Sequence, residues 1–373
     1  MAKRIIISGG GTGGHIFPAI AIADALKKLY PNTELLFVGA NGRMEMEKVP
    51  AAGYQIEGLD IAGFQRGSIL KNLSLPFKVL SSVSKAKSII KNFKPDAVVG
   101  VGGYASGPLL YAASTQNVPI LIQEQNSYAG ITNKWLSKKA STICVAFDGM
   151  ERFFPADRII KTGNPIRRSS VEIEGKREEA FDFFKLSPQK KTILVTGGSL
   201  GAGTLNKCML AGLEQIIAAD VQLIWQTGKF YYKGILEKLG SAINPNICVL
   251  EFLNRMDLAY AAADVIISRA GAGTIAELCM VKKPVILVPS PNVAEDHQTK
   301  NALALVNQNA AVLVKDLDAE NTLIKTALAL LQDENQQQKL SAQIGKLAMP
   351  DADLNIAKQV LKLTEKTDAV FTA

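Results

Sequence analysis

The sequence predicts an α/β protein built from two doubly wound parallel-sheet domains. Three observations predict it. Ten short β-rich runs alternate with stretches of helical period, the pattern of sheets that carry helices on both faces. The two halves echo each other. One opens Ile5-Ile6-Ile7-Ser8-Gly9-Gly10 and the other Ile193-Leu194-Val195-Thr196-Gly197-Gly198-Ser199, and each repeats the strand-and-glycine device later, at Val98–Tyr104 and Val265–Gly271. The length of 373 residues suits two domains.

In chain order, the first half offers strands at Arg4–Ser8, Glu34–Val38, Ala97–Val101, Pro119–Ile122 and Thr142–Val145. The second offers Thr192–Thr196, Gln222–Gln226, Cys248–Glu251, Asp264–Ser268 and Pro284–Val288. The junction falls at Lys161-Thr162-Gly163-Asn164-Pro165, because Asn-Pro favours a turn and a charged stretch, Glu172–Glu179, follows. The domains are therefore expected over 1–165 and from 166 onward.

An apolar content of 47% is ample for two cores. Three strongly apolar residues separate Arg4 from the glycines, too few for a signal-peptide core. No run approaches the ~20 apolar residues of a spanning helix. Cys144, Cys208, Cys248 and Cys279 are scattered without CxxC spacing, which fits reduced thiols in a cytoplasm. The net charge of +8 is concentrated: between Asp60 and Asp96 stand seven basic residues and no acidic one. Ser74 and Pro76 read as a helix start there, and Leu75, Phe77, Val79, Leu80 and Val83 give it an apolar face among Lys71, Lys78 and Lys85. Such a face suits an anionic bilayer surface, with an ordinary amphipathic helix as the alternative. Arginine and aromatic interleaving is sparse, so nucleic acid is not expected as a partner.

The loops carry the chemistry. Gly9, Gly11 and Gly14 satisfy GxGxxG, but the second strand ends Phe37-Val38-Gly39-Ala40-Asn41, without the carboxylate that a dinucleotide ribose needs. His15, at the lip of this loop, is a candidate general base or donor, or a residue that merely caps or packs. Gly102–Pro108 is a second turn-to-helix unit. Glu124-Gln125-Asn126 ends a strand with three polar side chains that are costly to bury unless paired, and they suit binding of hydroxyls or acceptance of a proton. In the second half, Gly197–Gly203 surrounds Ser199. Arg269–Glu277 exposes backbone donors at a helix start suited to a diphosphate, with Glu277 one turn on for two ribose hydroxyls. Thr274 and Glu277 also fit a T-x-x-E capping box. Asp296–Asn301 opens the following helix. Two histidines and dispersed cysteines make no zinc cluster, and the DxD pairs Asp316/Asp318 and Asp351/Asp353 read as helix caps. No GxxxxGK[ST] sequence is present.

Taken together, Gly10–Ala19, Gly102–Pro108, Glu124–Asn126, Thr162–Arg167, Gly197–Ser199, Arg269–Ala272 and Gln298 with Asn301 resemble the MurG family of bacterial N-acetylglucosaminyltransferases over nearly the whole chain. The resemblance implies a GT-B fold of two Rossmann-like domains around a cleft, the second over 166–349, with the terminal helix, 350–373, returning to the first. It implies transfer of N-acetylglucosamine from UDP-N-acetylglucosamine to the C4 hydroxyl of the muramoyl unit of lipid I, without cofactor or metal. Peptidoglycan synthesis at the cytoplasmic face of the inner membrane is the implied setting, with cell-wall synthesis proteins as partners. Carried over by motif, donor contacts are Thr12, Gly13, Gly14, Asn126, Arg167, Ser199, Leu253, Ala272, Gly273, Thr274, Glu277 and Gln298. Tyr104 and Ser106 are expected at the acceptor. His15 is the first candidate for the base and Glu124 the second. Leu200 stands where the family commonly has glutamine. A UDP-sugar epimerase on the same fold and a non-catalytic nucleotide-sugar-binding protein are the competing readings.

Overall fold

A computed structural model describes residues 2–61, 75–198, 200–240 and 244–371. The chain divides into two units, Met1–Ile166 with Asp351–Ala373, and Arg167–Pro350.

The first unit runs β1 (Arg4–Gly9), α1 (Gly13–Leu29), β2 (Glu34–Ala40), α2 (Glu45–Ala51), β3 (Gln55–Leu59), α3 (Leu75–Phe93), β4 (Ala97–Gly102), α4 (Ser106–Thr115), β5 (Ile120–Glu124), α5 (Ile131–Leu136), β6 (Thr142–Val145) and β7 (Ile159–Lys161). All paired strands are parallel, in the order β3-β2-β1-β4-β5-β6-β7. Side chains alternate across each strand, so the isoleucines of β1 serve two cores. Ile6 packs with Ile89 and Ile90 of α3 and with Leu109 and Leu110 of α4. Ile5 and Ile7 pack on the opposite face with Ile16, Ala19 and Ile22 of α1.

The second unit runs α6 (Arg177–Phe184), β8 (Thr192–Thr196), α7 (Gly203–Ala218), β9 (Gln222–Gln226), α8 (Tyr232–Leu239), β10 (Ile247–Leu250), α9 (Met256–Ala262), β11 (Val265–Ser268), α10 (Ala272–Val281), β12 (Val285–Leu287), α11 (His297–Val306), β13 (Val312–Leu313), α12 (Ala319–Gln332) and α13 (Glu334–Gly345). Its sheet is also parallel, ordered β10-β9-β8-β11-β12-β13. The last helix, α14 (Ala352–Phe371), belongs to the first unit, where Ile356, Ala357 and Val360 are fully buried in the core of β1 and α1.

All ten expected strands form, within two residues at either end. Three others were not anticipated: β3, β7 and β13. Each lies at the edge of its sheet. An edge strand is short and half solvated, so it lacks the continuous apolar run that announces a central parallel strand.

In each sheet the strand order reverses between the first strand and the strand after the crossover, β1 with β4 and β8 with β11. Ligands of doubly wound sheets bind at such switch points, beyond the carboxyl ends of the strands. The expected loops after Gly9, Gly102, Thr196 and Ser268 all emerge there.

Candidate active site

In the first unit the loops after β1 and β4 are joined. The Gly10 N–H donates to the Gly102 carbonyl at 3.2 Å. Thr12 is the N-cap of α1, with extended backbone, and the helix starts at Gly13. His15 Nδ1 lies 3.0 Å from the Gly10 carbonyl oxygen and 3.5 Å from Thr12 Oγ1. A carbonyl only accepts, so Nδ1 must carry the hydrogen. The neutral ring then has Nε2 as its basic nitrogen, the tautomer a general base requires. The imidazole lies against Gly102, whose φ is +112°; a Cβ there would sit 2.5 Å from His15 Cδ2. Only glycine permits both that backbone and that approach.

Glu124 is buried, and its carboxylate is engaged on both sides. One oxygen accepts from the Asn126 N–H at 3.0 Å and Nδ2 at 3.4 Å. The other accepts from the Gly130 N–H at 3.0 Å and Asn133 Nδ2 at 2.8 Å. A carboxylate with four donors on it is a clamp for the loop 125–130, a role that competes with that of second base. Ser106, expected at the acceptor, is 1% exposed, and its hydroxyl lies 2.8 Å from the Gly102 carbonyl and 3.2 Å from Ser8 Oγ. It ties α4 to β1 and does not reach solvent. Tyr104 is 45% exposed, with the Arg43 guanidinium 5.6 Å from its ring centroid, and remains accessible to an acceptor.

Tyr104 also borders an apolar cavity of about 390 Å³ walled by Val79, Leu80 and Val83 of α3, Tyr111 of α4 and Trp135 of α5. Around it Phe77, Leu80, Ile131 and Trp135 are each more than half exposed. Lys78 and Lys85 are exposed on α3, and Lys139 Nζ stands 5.4 Å from the Tyr111 ring. Lys71 lies outside the described residues, as does the Leu75 side chain.

In the second unit, α10 begins at Ala272 with Gly271 as its N-cap and no side-chain cap. Thr274 is therefore inside the helix, and the capping-box reading of Thr274 and Glu277 fails. The first-turn amides keep the donor character that suits a diphosphate. Gly273 faces open space: a Cβ there would meet nothing within 4 Å. The Glu277 carboxylate accepts the Tyr260 hydroxyl at 3.0 Å. Burial raises its pKa above the ordinary value, against the lowering effects of the Tyr260 bond and the Arg167 charge. Gln298 Oε1 accepts from the Ser290 N–H at 2.8 Å and the Ala270 N–H at 3.3 Å, which turns its Nε2 hydrogens toward other partners. Leu253 is 7% exposed, beside the half-exposed Phe252. Ser199 lies outside the described residues.

Three supporting residues escaped the sequence. Tyr260 holds Glu277, and Asn133 holds Glu124; neither carries a local signal. Asp316 does carry one, as part of a DxD pair, but it is not a helix cap. Its carboxylate pairs with Arg269 and accepts the Thr204 hydroxyl at 3.0 Å. Arg269 also donates to the Val288 and Pro289 carbonyls, so this ion pair fixes the loop that leads into α10. Among the described residues no group of three His, Cys, Asp or Glu side chains could hold a metal ion.

Residues 5–145 match the glycosyltransferase family 28 N-terminal domain, and residues 192–364 match its C-terminal domain. The chain is 57% identical to the UDP-N-acetylglucosamine–N-acetylmuramyl-(pentapeptide) pyrophosphoryl-undecaprenol N-acetylglucosamine transferase of Bacteroides fragilis, over 98% of this chain and 97% of that one. It is 56% identical to the enzyme of the same name from Parabacteroides distasonis, over 97% and 99%. Among solved structures, MurG of Acinetobacter baumannii superposes with a TM-score of 0.79 at 29% identity, over 96% of this chain and 99% of that one. A UDP-N-acetylglucosamine 2-epimerase superposes at 0.66 with 16% identity, over 96% and 95%, a likeness of fold alone. The chain belongs to glycosyltransferase family 28 and, within it, to the MurG family of N-acetylglucosamine transferases.

Proposed function

We propose that the chain moves N-acetylglucosamine from UDP-N-acetylglucosamine to the C4 hydroxyl of undecaprenyl-diphospho-muramoylpentapeptide, giving lipid II and UDP, by direct displacement with inversion. His15 Nε2 takes the proton of the attacking hydroxyl. The observation that carries this role is the Gly10 carbonyl on His15 Nδ1, which sets the ring in its basic tautomer. The amides that open α10, with Arg167, stabilise the diphosphate as it leaves. In the second unit Glu277 accepts the two ribose hydroxyls, the Leu253 backbone meets the base, and the Gln298 amide and Ser199 are further donor contacts; in the first unit Asn126 and the start of α1 from Thr12 to Gly14 are the donor contacts. Glu124 serves by holding Asn126. The epimerase reading shares the fold but leaves the basic apolar surface of α3 without a purpose.

Incubation with UDP-N-acetylglucosamine and a lipid I analogue in excess chelator is expected to yield the lipid-linked disaccharide with a β-linkage. An α-linkage in the product would mean retention and would overturn direct displacement.

No helix among the described residues is long and apolar enough to cross a membrane. The exposed Phe77 and Leu80 beside Lys78 and Lys85 suit peripheral attachment to the anionic cytoplasmic surface of the inner membrane, where the acceptor lipid and other cell-wall synthesis proteins would meet the enzyme. Each lysine near such a surface contributes about 1 kcal/mol. Replacing Lys78 and Lys85 together by Glu is expected to weaken binding to phosphatidylglycerol-containing liposomes about tenfold or more, an effect that salt diminishes. Equal binding of both proteins would exclude this surface.

A further inference from the structure

Glu45 opens α2, and its side chain is completely buried. A carboxylate is expensive to bury unless its lone pairs are taken. Here both partners are backbone amides: Ala40 N–H at 3.0 Å on one oxygen and Gly11 N–H at 2.9 Å on the other. The Gly11 N–H and the Gly10 carbonyl belong to one peptide group, and that carbonyl is the acceptor of His15 Nδ1–H at 3.0 Å. One peptide is thus held between a carboxylate and the imidazole. The fit leaves no room for side chains. A Cβ on Gly10 would fall 2.2 Å from Glu45 Oε1, and one on Gly103 would fall 2.5 Å from the Gly10 oxygen. The position where a phosphate would meet Gly11 N–H in a dinucleotide loop is filled by the protein's own carboxylate.

We propose that Glu45 is a positioning residue for the transfer reaction, acting on His15 through the Gly10–Gly11 peptide. A negative charge on the N–H polarises the amide and makes its carbonyl a stronger acceptor. That holds His15 in the Nδ1–H form and stabilises the imidazolium that forms when Nε2 receives the hydroxyl proton. Nδ1 keeps its hydrogen throughout, and no proton crosses the peptide between His15 and Glu45. The inference rests on His15 being the base.

The chain has only two histidines, His15 and His297, which makes the tautomer directly readable. Two-bond 1H–15N correlation spectra of the full-length protein labelled with 15N-histidine, assigned by loss of signal in His15→Ala, are expected to show the Nδ1–H tautomer for His15. In Glu45→Gln the amide can accept from only one of the two N–H groups. Its His15 signals are expected to shift toward mixed tautomers, with kcat down about tenfold or more and the UDP-N-acetylglucosamine KM within about twofold. A wild-type His15 in the Nε2–H form overturns the proposal outright, whether or not the variant folds. So does a Glu45→Gln protein whose His15 spectrum is unchanged. A shifted tautomer with kcat unaltered in both Glu45→Gln and His15→Ala would uphold the coupling and refute instead the assignment of His15 as the base.

Discussion

Replacing His15 by alanine is expected to lower kcat by about 10²–10⁴-fold while leaving the UDP-N-acetylglucosamine KM within about threefold. The C4 hydroxyl of a sugar is a poor nucleophile until its proton leaves. A positioned neutral imidazole is the group that can accept it near neutral pH. The competing carboxylate in the same unit, Glu124, already receives four hydrogen bonds and cannot turn to a substrate without releasing its loop. Donor affinity should survive because the groups assigned to uridine and diphosphate belong to the second unit. Initial-rate kinetics with a lipid I analogue, both substrates varied, separate the two constants. A variant with normal kcat and a raised donor KM would make His15 a donor contact instead.

The physical reason some of this was legible, and some not, lies in how far each residue's partners stand along the chain. Central strands such as Ile193–Thr196 announce themselves by composition, because parallel strands buried on both faces are apolar throughout. The edge strand Gln55–Leu59 alternates polar and apolar residues and hides among loops. The same holds for the site. His15 and the α10 start are local features, a histidine at a glycine turn and small residues before a helix. The demand that Glu124, Gln125 and Asn126 be paired is also local, and it is met: Glu124 by its four donors, Gln125 by the Val101 carbonyl at 3.0 Å. What the demand could not say is that meeting it takes up both Glu124 oxygens. Glu45 lies 34 residues from Gly11, and Asp316 lies 47 from Arg269. Neither contact leaves a trace in spacing, because the sheet topology alone brings those segments together. Ser106 looked like a substrate residue for the opposite reason. Its neighbours in sequence are those of an open loop, but α4 already begins there and turns its hydroxyl into the protein.

Replacing Glu277 by glutamine is expected to weaken UDP binding by about tenfold to a hundredfold, by isothermal calorimetry, because hydrogen bonds to a charged group contribute about 1.5–3 kcal/mol. The ionised carboxylate has lone pairs for the Tyr260 hydroxyl and for two ribose hydroxyls. Tyr260 is itself buried, with its pKa raised well above the ordinary value by burial and by Glu277, so it stays the donor in this pair. A glutamine must spend its single oxygen on Tyr260 or on the ribose, and its NH₂ group opposes the remaining hydroxyl. The pH dependence has a definite sign. Burial raises the Glu277 pKa, so the carboxyl takes up its proton at a higher pH than an exposed glutamate does. Affinity is therefore full above that raised value and falls as the pH is lowered through it, since the protonated acid has lost an acceptor and gained a donor. The glutamine variant has no such group, so the ratio of wild-type to variant affinity should shrink on acidification, and the diphosphate's own titration cancels in that ratio. A ratio that stays constant with pH would mean that Glu277 does not hold the ribose in its ionised form. The second-unit site would then owe its nucleotide affinity to the α10 amides, Arg167 and the other contacts assigned there, Leu253, Gln298 and Ser199.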